Sequence, residues 1–222
     1  MVGLTEDLMF FNPKYSTTIF IVRHGQSQGN AQNLFLGHTD LDLSDLGYRQ
    51  AQKTCDLLKD IEFNNVYSSS LIRAVNTAVP HAKLRKMPVI KCDELCEMRA
   101  GEWENMNIND IISKYGDRYV VEWRKCFGSY TIPGGEPPKE VARRLYDKLV
   151  EIAKANTGKN VLVACHAAAI RCLWGEINGI LPGAITTDFE FPYNASVSTV
   201  YYDGERLIPG VYSYCEHLQD CK

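Results

Sequence analysis

The sequence predicts an α/β fold: an open, mostly parallel sheet flanked by helices in three layers. Short runs rich in β-branched residues alternate along the chain with longer amphipathic segments, which is typical of parallel strands joined by helices. One run, residues 161–165, is apolar throughout, as expected of a strand covered on both faces. With 222 residues and 45% hydrophobic content the chain can bury a sizeable core, and we expect one domain over residues 1–222.

The first half of the chain supplies two strand and helix pairs. Residues 17–22 combine β-branched and aromatic side chains over the length of a strand. Ser44 is a favourable N-cap for an amphipathic helix that extends to about residue 59. Residues 65–67 predict a second short strand, and the segment from Leu71 predicts the next helix.

A segment of different composition then interrupts this alternation, after a third predicted strand at residues 88–90. From about residue 95 to 135 the chain is rich in Trp, Asn and charged residues, which predicts a small, mainly helical cap inserted into the domain. Trp123 and Phe127 are four residues apart and are expected on the inner face of a cap helix. Such a cap would control which substrates enter.

The sheet pattern resumes after the predicted cap. Apolar residues over 140–155 fall on one helical face, and Gly158 is a suitable stop for that helix. The buried strand 161–165 leads into an alanine-rich helix start. Residues 196–202 form the last predicted strand, with a turn at Asp203.

Histidines follow two of the predicted strands. His24 comes after the first strand and Arg23, and His166 comes directly after the strand 161–165. Ligands of open α/β sheets lie at the carboxyl ends of the strands, so we expect both histidines in one site. Cations beside an imidazole neutralise phosphate oxygens and disfavour the protonated ring. We therefore predict that His24 is a phosphate-accepting nucleophile whose other ring nitrogen is held by a backbone carbonyl.

Further motifs follow in chain order. They are Arg23-His24-Gly25-Gln26-Ser27 with Asn30, Gly37, Asp40, Ser44 and Gly47; Ser68-Ser69-Ser70-Leu71-Ile72-Arg73-Ala74; Leu95-Cys96-Glu97 with Gly101-Glu102-Trp103-Glu104; Pro133-Gly134-Gly135-Glu136; Cys165-His166-Ala167; and Asn194-Ala195-Ser196. Over roughly residues 17–202, this series resembles the histidine phosphatase superfamily, the phosphoglycerate mutase-like proteins.

The resemblance implies the phosphoglycerate mutase-like fold and an enzyme that needs no metal and no cofactor. It implies that His24 accepts the phosphoryl group, that Glu97 protonates the departing oxygen, and that in a phosphatase Glu97 then activates water. It also implies a set of phosphate-binding residues: His166, Arg23, Asn30 and Arg73, with Gln26, Ser27 and Ala167 as further candidates.

Departures from the family pattern bear on function. Ala167 stands where a glycine is usual, and its methyl group would crowd the phosphate. Met98-Arg99-Ala100 follows Glu97 in place of the basic, histidine-containing run of the family's mutases. The resemblance therefore favours a phosphatase for a small phosphorylated metabolite over a phosphoglycerate mutase.

Two other classes of function remain open. His24, His166 and Glu97 could form a two-histidine, one-carboxylate metal site, although the arginine beside His24 would repel a cation. A non-catalytic phosphate-binding module would keep the pocket without the chemistry, and Ala167 is the feature that favours it.

Composition limits the partners and the location of the protein. The net charge of −3 lies in mixed-sign sequence without a basic block, which argues against nucleic acid as a partner. No stretch is long and apolar enough for a membrane span or a secretory signal. The eight cysteines are scattered, and we expect reduced thiols in a cytoplasmic protein, with a Cys215–Cys221 disulfide as the minor alternative.

The remaining histidines and the tail carry no predicted function. We interpret His38, His81 and His217 as core or surface residues, and we expect the tail from Tyr212 to be exposed. The sequence predicts no oligomeric state.

Overall fold

The computed structural model describes residues 15–116, 123, 130–180 and 189–221. Within these residues, six strands form one sheet in the order β3-β2-β4-β1-β5-β6. The strands are β1 (Thr17–Arg23), β2 (Asn65–Ser69), β3 (Val89–Cys92), β4 (Lys159–Cys165), β5 (Val197–Tyr202) and β6 (Leu207–Pro209). Strands β1 to β4 are parallel, whereas β5 and β6 add antiparallel pairs at one edge. The mostly parallel sheet is confirmed, and β6, three residues ending in proline, was not predicted.

Helices connect the strands close to the predicted positions. They are α1 (Gln28–Ala31), α2 (Asp45–Leu57), α3 (Ile72–Leu84), α4 (Ile108–Tyr115), α5 (Pro138–Ala155) and α6 (Ala167–Ile177), with 3-10 helices at Asp93–Leu95, Gly101–Trp103 and Glu216–Cys221. Ser44 caps α2 as predicted, because its Oγ accepts a hydrogen bond from the N–H of Gly47 at 3.1 Å.

The sheet is covered on both faces, as β1 illustrates. Its alternate residues Ile19 and Ile21 belong to a core cluster that contains residues of α5 and α6. Phe20 and Val22 point to the opposite face and join a second cluster with residues of α3. Full burial of such side chains stabilises the fold by about 1.5–3 kcal/mol each. The three-layer prediction is therefore confirmed.

Part of the predicted cap lies among the described residues. It contains the 3-10 helix Gly101–Trp103 and α4. Trp123 is buried, and its ring packs against those of Phe35 and Trp103 at centroid distances of 4.9 and 6.0 Å. Phe127 lies outside the described residues.

The prediction of an exposed tail was wrong. The 3-10 helix Glu216–Cys221 packs on α2, and Leu218 is buried. Gln50 Nε2 donates to the carbonyl oxygen of Cys221 at 3.0 Å, and Thr54 Oγ1 lies 3.0 Å from His217 Nε2. The tail is thus held by polar side chains that lie on α2.

Two further observations concern composition. The cysteines in the described part of the chain, including Cys215 and Cys221, are free thiols. Across residues 15–116, 123, 130–180 and 189–221, no helix has the length and apolarity required to cross a bilayer.

Candidate active site

The parallel pairing of β1 with β4 brings the two predicted histidines together. Arg23 pairs with Cys165 in the register, so the residues that follow them leave the same edge of the sheet. The N–H of His24 donates to the carbonyl oxygen of Cys165 at 2.9 Å. The rings of His24 and His166 lie 5.1 Å apart between centroids. The expectation of a shared location is confirmed.

The imidazole of His24 is buried and oriented by its own backbone. Its Nδ1 lies 2.7 Å from the carbonyl oxygen of Gly25, which assigns the proton to Nδ1 and leaves Nε2 with its lone pair. Burial lowers the pKa of His24 well below 6.5, and the positive charges of Arg73 and Arg23 lower it further. His24 is therefore neutral near pH 7 and has one nitrogen available for attack.

The loop that carries His24 is fixed on both sides. A Cβ at Gly25 would lie 2.5 Å from the carbonyl oxygen of Gly47, so only glycine fits there. The N–H of Gly25 donates to Thr77 Oγ1 at 3.0 Å. The carbonyl oxygen of His24 accepts from Asn194 Nδ2 at 3.1 Å and from the N–H of Ala195 at 3.2 Å. These contacts hold the ring in one position.

Two guanidinium groups line the same cavity as His24. Arg73 is 1% exposed, and its Nη1 and Nη2 donate to the carbonyl oxygens of Thr39 and Gly37 at 2.9 and 2.7 Å. Arg23 Nη1 donates to the carbonyl oxygen of Pro192. Burial lowers the pKa of Arg23 to about 10 and also lowers that of Arg73, but both remain cations at neutral pH. The pair supplies positive charge where an anion would bind.

The side chain of Asn30 presents a donor to the cavity. Its Oδ1 accepts from the N–H of Ser27 at 3.1 Å and from Asn194 Nδ2 at 3.3 Å. Because Oδ1 is occupied in this way, Nδ2 is the group left for a ligand. Asn30 lines the cavity, as expected of a residue that binds a phosphate oxygen.

His166 is completely buried next to His24, and it is not among the residues that line the cavity. Its Nε2 lies 2.8 Å from Ser69 Oγ, whereas its Nδ1 is buried without a hydrogen-bond partner among the described residues. Burial lowers the pKa of His166 well below 6.5, and the positive charge of Arg73 lowers it further. A buried polar atom without a partner is costly, and a bound phosphate oxygen would supply one.

The carboxylate of Glu97 sits at the start of α6. Its Oε1 accepts from the N–H groups of Met98 and Ala169 at 2.9 and 3.0 Å, and its Oε2 accepts from the N–H of Ala168 at 3.1 Å. Helix N-termini attract anions, which explains why a buried carboxylate is stable there. Glu97 also lines the cavity, beside His24.

The sequence analysis missed Arg144, which holds the segment that carries Glu97. Its Nη1 donates to the carbonyl oxygens of Glu94 and Cys96, both at 2.8 Å, and its Nη2 donates to that of Glu97 at 3.1 Å. No local pattern distinguishes Arg144 from its exposed neighbour Arg143, so the sequence offered no signal.

Gln26 and Ser27 are occupied elsewhere, and neither lines the cavity. Gln26 Oε1 accepts from Ser44 Oγ at 2.7 Å, and its N–H donates to Gln50 Oε1 at 2.8 Å. Ser27 Oγ caps α1 by accepting from the N–H of Asn30 at 3.1 Å. Their bonds shape the loop, and a role of the two residues in phosphate binding stays a prediction from the family resemblance.

The cavity has a volume of about 160 Å³, and its wall combines a polar and an apolar set of residues. The polar residues are His24, Asn30, Glu97 and the two arginines. The rest of the described wall is apolar: Leu34, Phe35, Leu36, Met98, Ile108, Trp123, Ala167, Ala168 and Phe191. Arg99, which follows the predicted acid, is exposed and lines a different cavity. The apolar wall would contact the part of a substrate that carries the phosphate.

A comparison with known families agrees with this arrangement. Residues 19–211 match the family model of the histidine phosphatase superfamily (branch 1). The chain belongs to the histidine phosphatase superfamily.

Relatives within this superfamily carry different names. The chain is 34% identical over 171 residues to 2,3-bisphosphoglycerate-dependent phosphoglycerate mutase 2 of Gloeobacter violaceus, covering 74% of this chain and 77% of that protein. It is 29% identical over 202 residues to the uncharacterized phosphatase PhoE of Bacillus subtilis, covering 91% and 97%. The solved structure of Bacillus stearothermophilus YhfR superposes with a TM-score of 0.84 at 23% identity, covering 92% and 100%, which supports the fold.

Proposed function

We propose that the protein is a phosphomonoester phosphatase that acts through a phosphohistidine at His24. The observation that carries this proposal is the buried, neutral imidazole of His24, whose Nδ1 is bonded to Gly25 while two guanidinium groups line its cavity. The substrate we propose is a small phosphorylated metabolite.

In the first step, His24 Nε2 attacks phosphorus as the bond to the leaving oxygen breaks. Arg23, Arg73 and Asn30 bind the phosphate oxygens, and the orphaned Nδ1 of His166 gains an oxygen as its partner. Glu97 is the acid that gives a proton to the leaving oxygen, and it becomes the carboxylate that its backbone N–H donors stabilise. In the second step, the Glu97 carboxylate takes a proton from water, which attacks phosphorus and releases phosphate and His24.

The wall of the cavity favours hydrolysis over mutase chemistry. A mutase must retain a doubly phosphorylated intermediate, which calls for cations at both ends of its pocket. In the described part of the wall, the cations are Arg23 and Arg73, and we assign both to the one phosphate that His24 attacks. We therefore propose a leaving group that is apolar next to its phosphate.

Phosphoglycerate mutase activity is the second candidate, and the 34% identity to the Gloeobacter violaceus mutase favours it. The test compares release of phosphate from p-nitrophenyl phosphate and 1-naphthyl phosphate with interconversion of phosphoglycerates in the presence of 2,3-bisphosphoglycerate. Faster turnover in the second assay than in the first would reverse the assignment.

A labelling experiment tests the phosphohistidine directly. An activated phosphate donor should give an acid-labile, base-stable phosphoprotein in the wild type and none in His24→Ala. A wild type that neither labels nor turns over would favour the non-catalytic binding module. Hydrolysis that stops in excess EDTA would favour the metal hydrolase. Among the described residues, no group of three or more His, Cys, Asp or Glu side chains is placed so that it could hold a metal ion.

A further inference from the structure

One loop, residues 37–39, separates Glu104 from the phosphate-site cation Arg73. Oε1 of Glu104 accepts from the N–H groups of Gly37 and Thr39 at 2.9 and 3.0 Å, and Oε2 accepts from the N–H of His38 at 3.1 Å. Burial raises the pKa of Glu104, but these N–H donors outweigh it and the net shift is downward. The loop therefore wraps a carboxylate that stays charged.

The opposite side of this loop faces Arg73. The carbonyl oxygens of Gly37 and Thr39, whose N–H groups bond to Glu104, accept from Arg73 Nη2 and Nη1. Within the described residues, Arg73 has no ion pair with a carboxylate, and these carbonyls are the partners of its guanidinium. The Gly37 carbonyl and the His38 N–H belong to one peptide group, which bonds to Arg73 on one side and to Glu104 Oε2 on the other. Hydrogen bonds in series polarise one another, so the charge of Glu104 strengthens the Gly37 carbonyl as an acceptor, while the bond from the Thr39 N–H fixes the position of that residue.

The close approach of Glu104 depends on glycine at position 37. A Cβ there would lie 2.5 Å from Glu104 Oε2 and 2.6 Å from both the Ala100 nitrogen and the Met98 carbonyl oxygen. A side chain at position 37 would push the carboxylate and the loop apart.

We propose that Glu104 is a positioning residue for phosphate binding, because through the loop 37–39 it fixes the direction in which the Arg73 guanidinium points. This inference rests on the proposed function, since it takes phosphate as the ligand of Arg73. Two fixed acceptors on Nη1 and Nη2 restrict the planar group to one orientation, which prepares it for an anion.

A second connection must be separated from this one. The ring of His38, in the same loop, places its Nε2 2.8 Å from the carbonyl oxygen of Glu97. Glu104 could therefore also affect the acid through His38. The effect on Arg73 itself distinguishes the two connections.

The test measures Arg73 and phosphate binding in the same samples. Nuclear magnetic resonance of the arginine Nη–H groups reports whether the Arg73 guanidinium is held, and its signals are assigned by their loss in Arg73→Lys. Calorimetry gives the Kd of inorganic phosphate. We expect Glu104→Gln to abolish the separate, slowly rotating Nη–H signals and to weaken phosphate binding about tenfold or more, the loss expected for hydrogen bonds to a charged group.

Glu102→Gln is the matched control, because Glu102 is exposed, lies two residues away and accepts from Tyr115 Oη at 2.8 Å outside the phosphate site. It should change neither readout. His38→Ala should leave the Arg73 signals intact. If Glu104→Gln does not fold, Glu104→Asp serves instead. The Asp side chain is one methylene group shorter, so its carboxylate should reach the loop N–H groups poorly and the Arg73 guanidinium should rotate more freely.

The outcomes separate this inference from the proposed function. The inference is overturned if folded Glu104→Gln keeps the separate Arg73 Nη–H signals or the wild-type Kd for phosphate. This holds even when the wild type is an active phosphatase. A wild type that binds phosphate but turns over no monoester refutes the proposed function and leaves the inference standing if Glu104→Gln loses both readouts.

Discussion

The guanidinium of Arg144 meets the carboxylate of Glu136 at two points, Nε to Oε1 at 2.7 Å and Nη2 to Oε2 at 2.8 Å. The remaining donors of Arg144 bind backbone carbonyls on both sides of the Cys96–Glu97 peptide bond. Burial raises the pKa of Glu136, but Arg144 outweighs it and the net shift is downward. One side chain on α5 thus anchors the segment after the 3-10 helix Asp93–Leu95, which carries the proposed acid.

Replacement of Arg144 should therefore destabilise the protein. We expect Arg144→Met to lower the free energy of unfolding by about 2 kcal/mol, because it leaves a half-buried carboxylate and several carbonyls without their partner. Arg143→Met is the control. The Arg143 side chain is 84% exposed, with its Nε 3.8 Å from Asp147 Oδ2, and its loss should not measurably change the free energy of unfolding. Urea denaturation checks both, and equal stability of the two variants would contradict the assignment of Arg144 as an anchor.

The protonation of His24 gives a second prediction. Burial is the main cause of its lowered pKa, and Arg73 adds the larger of the two electrostatic contributions. Nuclear magnetic resonance of the ring nitrogens and protons should show that His24 is neutral near pH 7 and carries its proton on Nδ1. Its pKa should lie well below 6.5. In Arg73→Met the pKa should rise, yet stay below 6.5 because the burial remains. Arg206→Met, at a position 74% exposed, should leave it unchanged. A wild-type midpoint near 6.5 would contradict the argument.

Local patterns predicted the sheet and the placement of the histidines. The β-branched and aromatic residues 17–22 predicted a strand, and that strand delivers His24 to the same edge of the sheet as His166. The parallel pairing follows from alternation with helices, so their proximity could be expected without coordinates. The roles of Arg73 and Glu97 depended on the family resemblance, since neither residue stands out by composition.

The contacts that the sequence did not predict join distant polar groups. Gln50 lies on the buried face of α2, where a polar residue gives no periodic signal, yet it links Gln26 to Cys221, 171 residues away from it. The docked tail depends on that bridge and on Thr54. Such pairings are decided by which unsatisfied donors and acceptors the finished fold brings together, and a local pattern cannot contain that information.

The buried ring of His81 makes stability depend on pH. His81 is 0% exposed, and neither ring nitrogen has a hydrogen-bond partner among the described residues. Burial, with a smaller effect of Arg85, lowers its pKa from 6.5 to about 3. The unfolded chain therefore takes up the proton first, and stability is lost as the pH falls from about 6.5 towards 3.

Substitution of His81 by leucine removes this proton uptake. Below pH 6.5, the free energy of unfolding of His81→Leu should fall less steeply than that of the wild type, by up to about 1.4 kcal/mol per pH unit. Urea denaturation between pH 7 and pH 5 measures the free energy of unfolding of both proteins. The other histidines are common to both, so their contributions cancel in the difference between the two pH profiles. Parallel pH profiles for the two proteins would show that the ring is protonated or solvated in the native state.

The methyl group of Ala167 lies in the cavity wall, where it would affect the affinity for phosphate. Ala167 is the first residue of α6, it lines the cavity, and its N–H donates to none of the described residues. The next two N–H groups are taken by Glu97, so that of Ala167 is the helix donor left for a phosphate oxygen. A methyl group beside this donor limits the approach of the oxygen.

Ala167→Gly should therefore tighten binding of inorganic phosphate several-fold, measured as its inhibition constant against hydrolysis of p-nitrophenyl phosphate. The added backbone freedom should cost up to about 1 kcal/mol of stability, less than in a helix interior because the residue is at the helix start. Ala155→Gly, at the exposed last position of α5, introduces a glycine without altering the cavity. If Ala167→Gly binds phosphate no better than the wild type, the anion contacts the arginines and His166 without approaching α6, and Ala167 is a neutral departure from the family pattern.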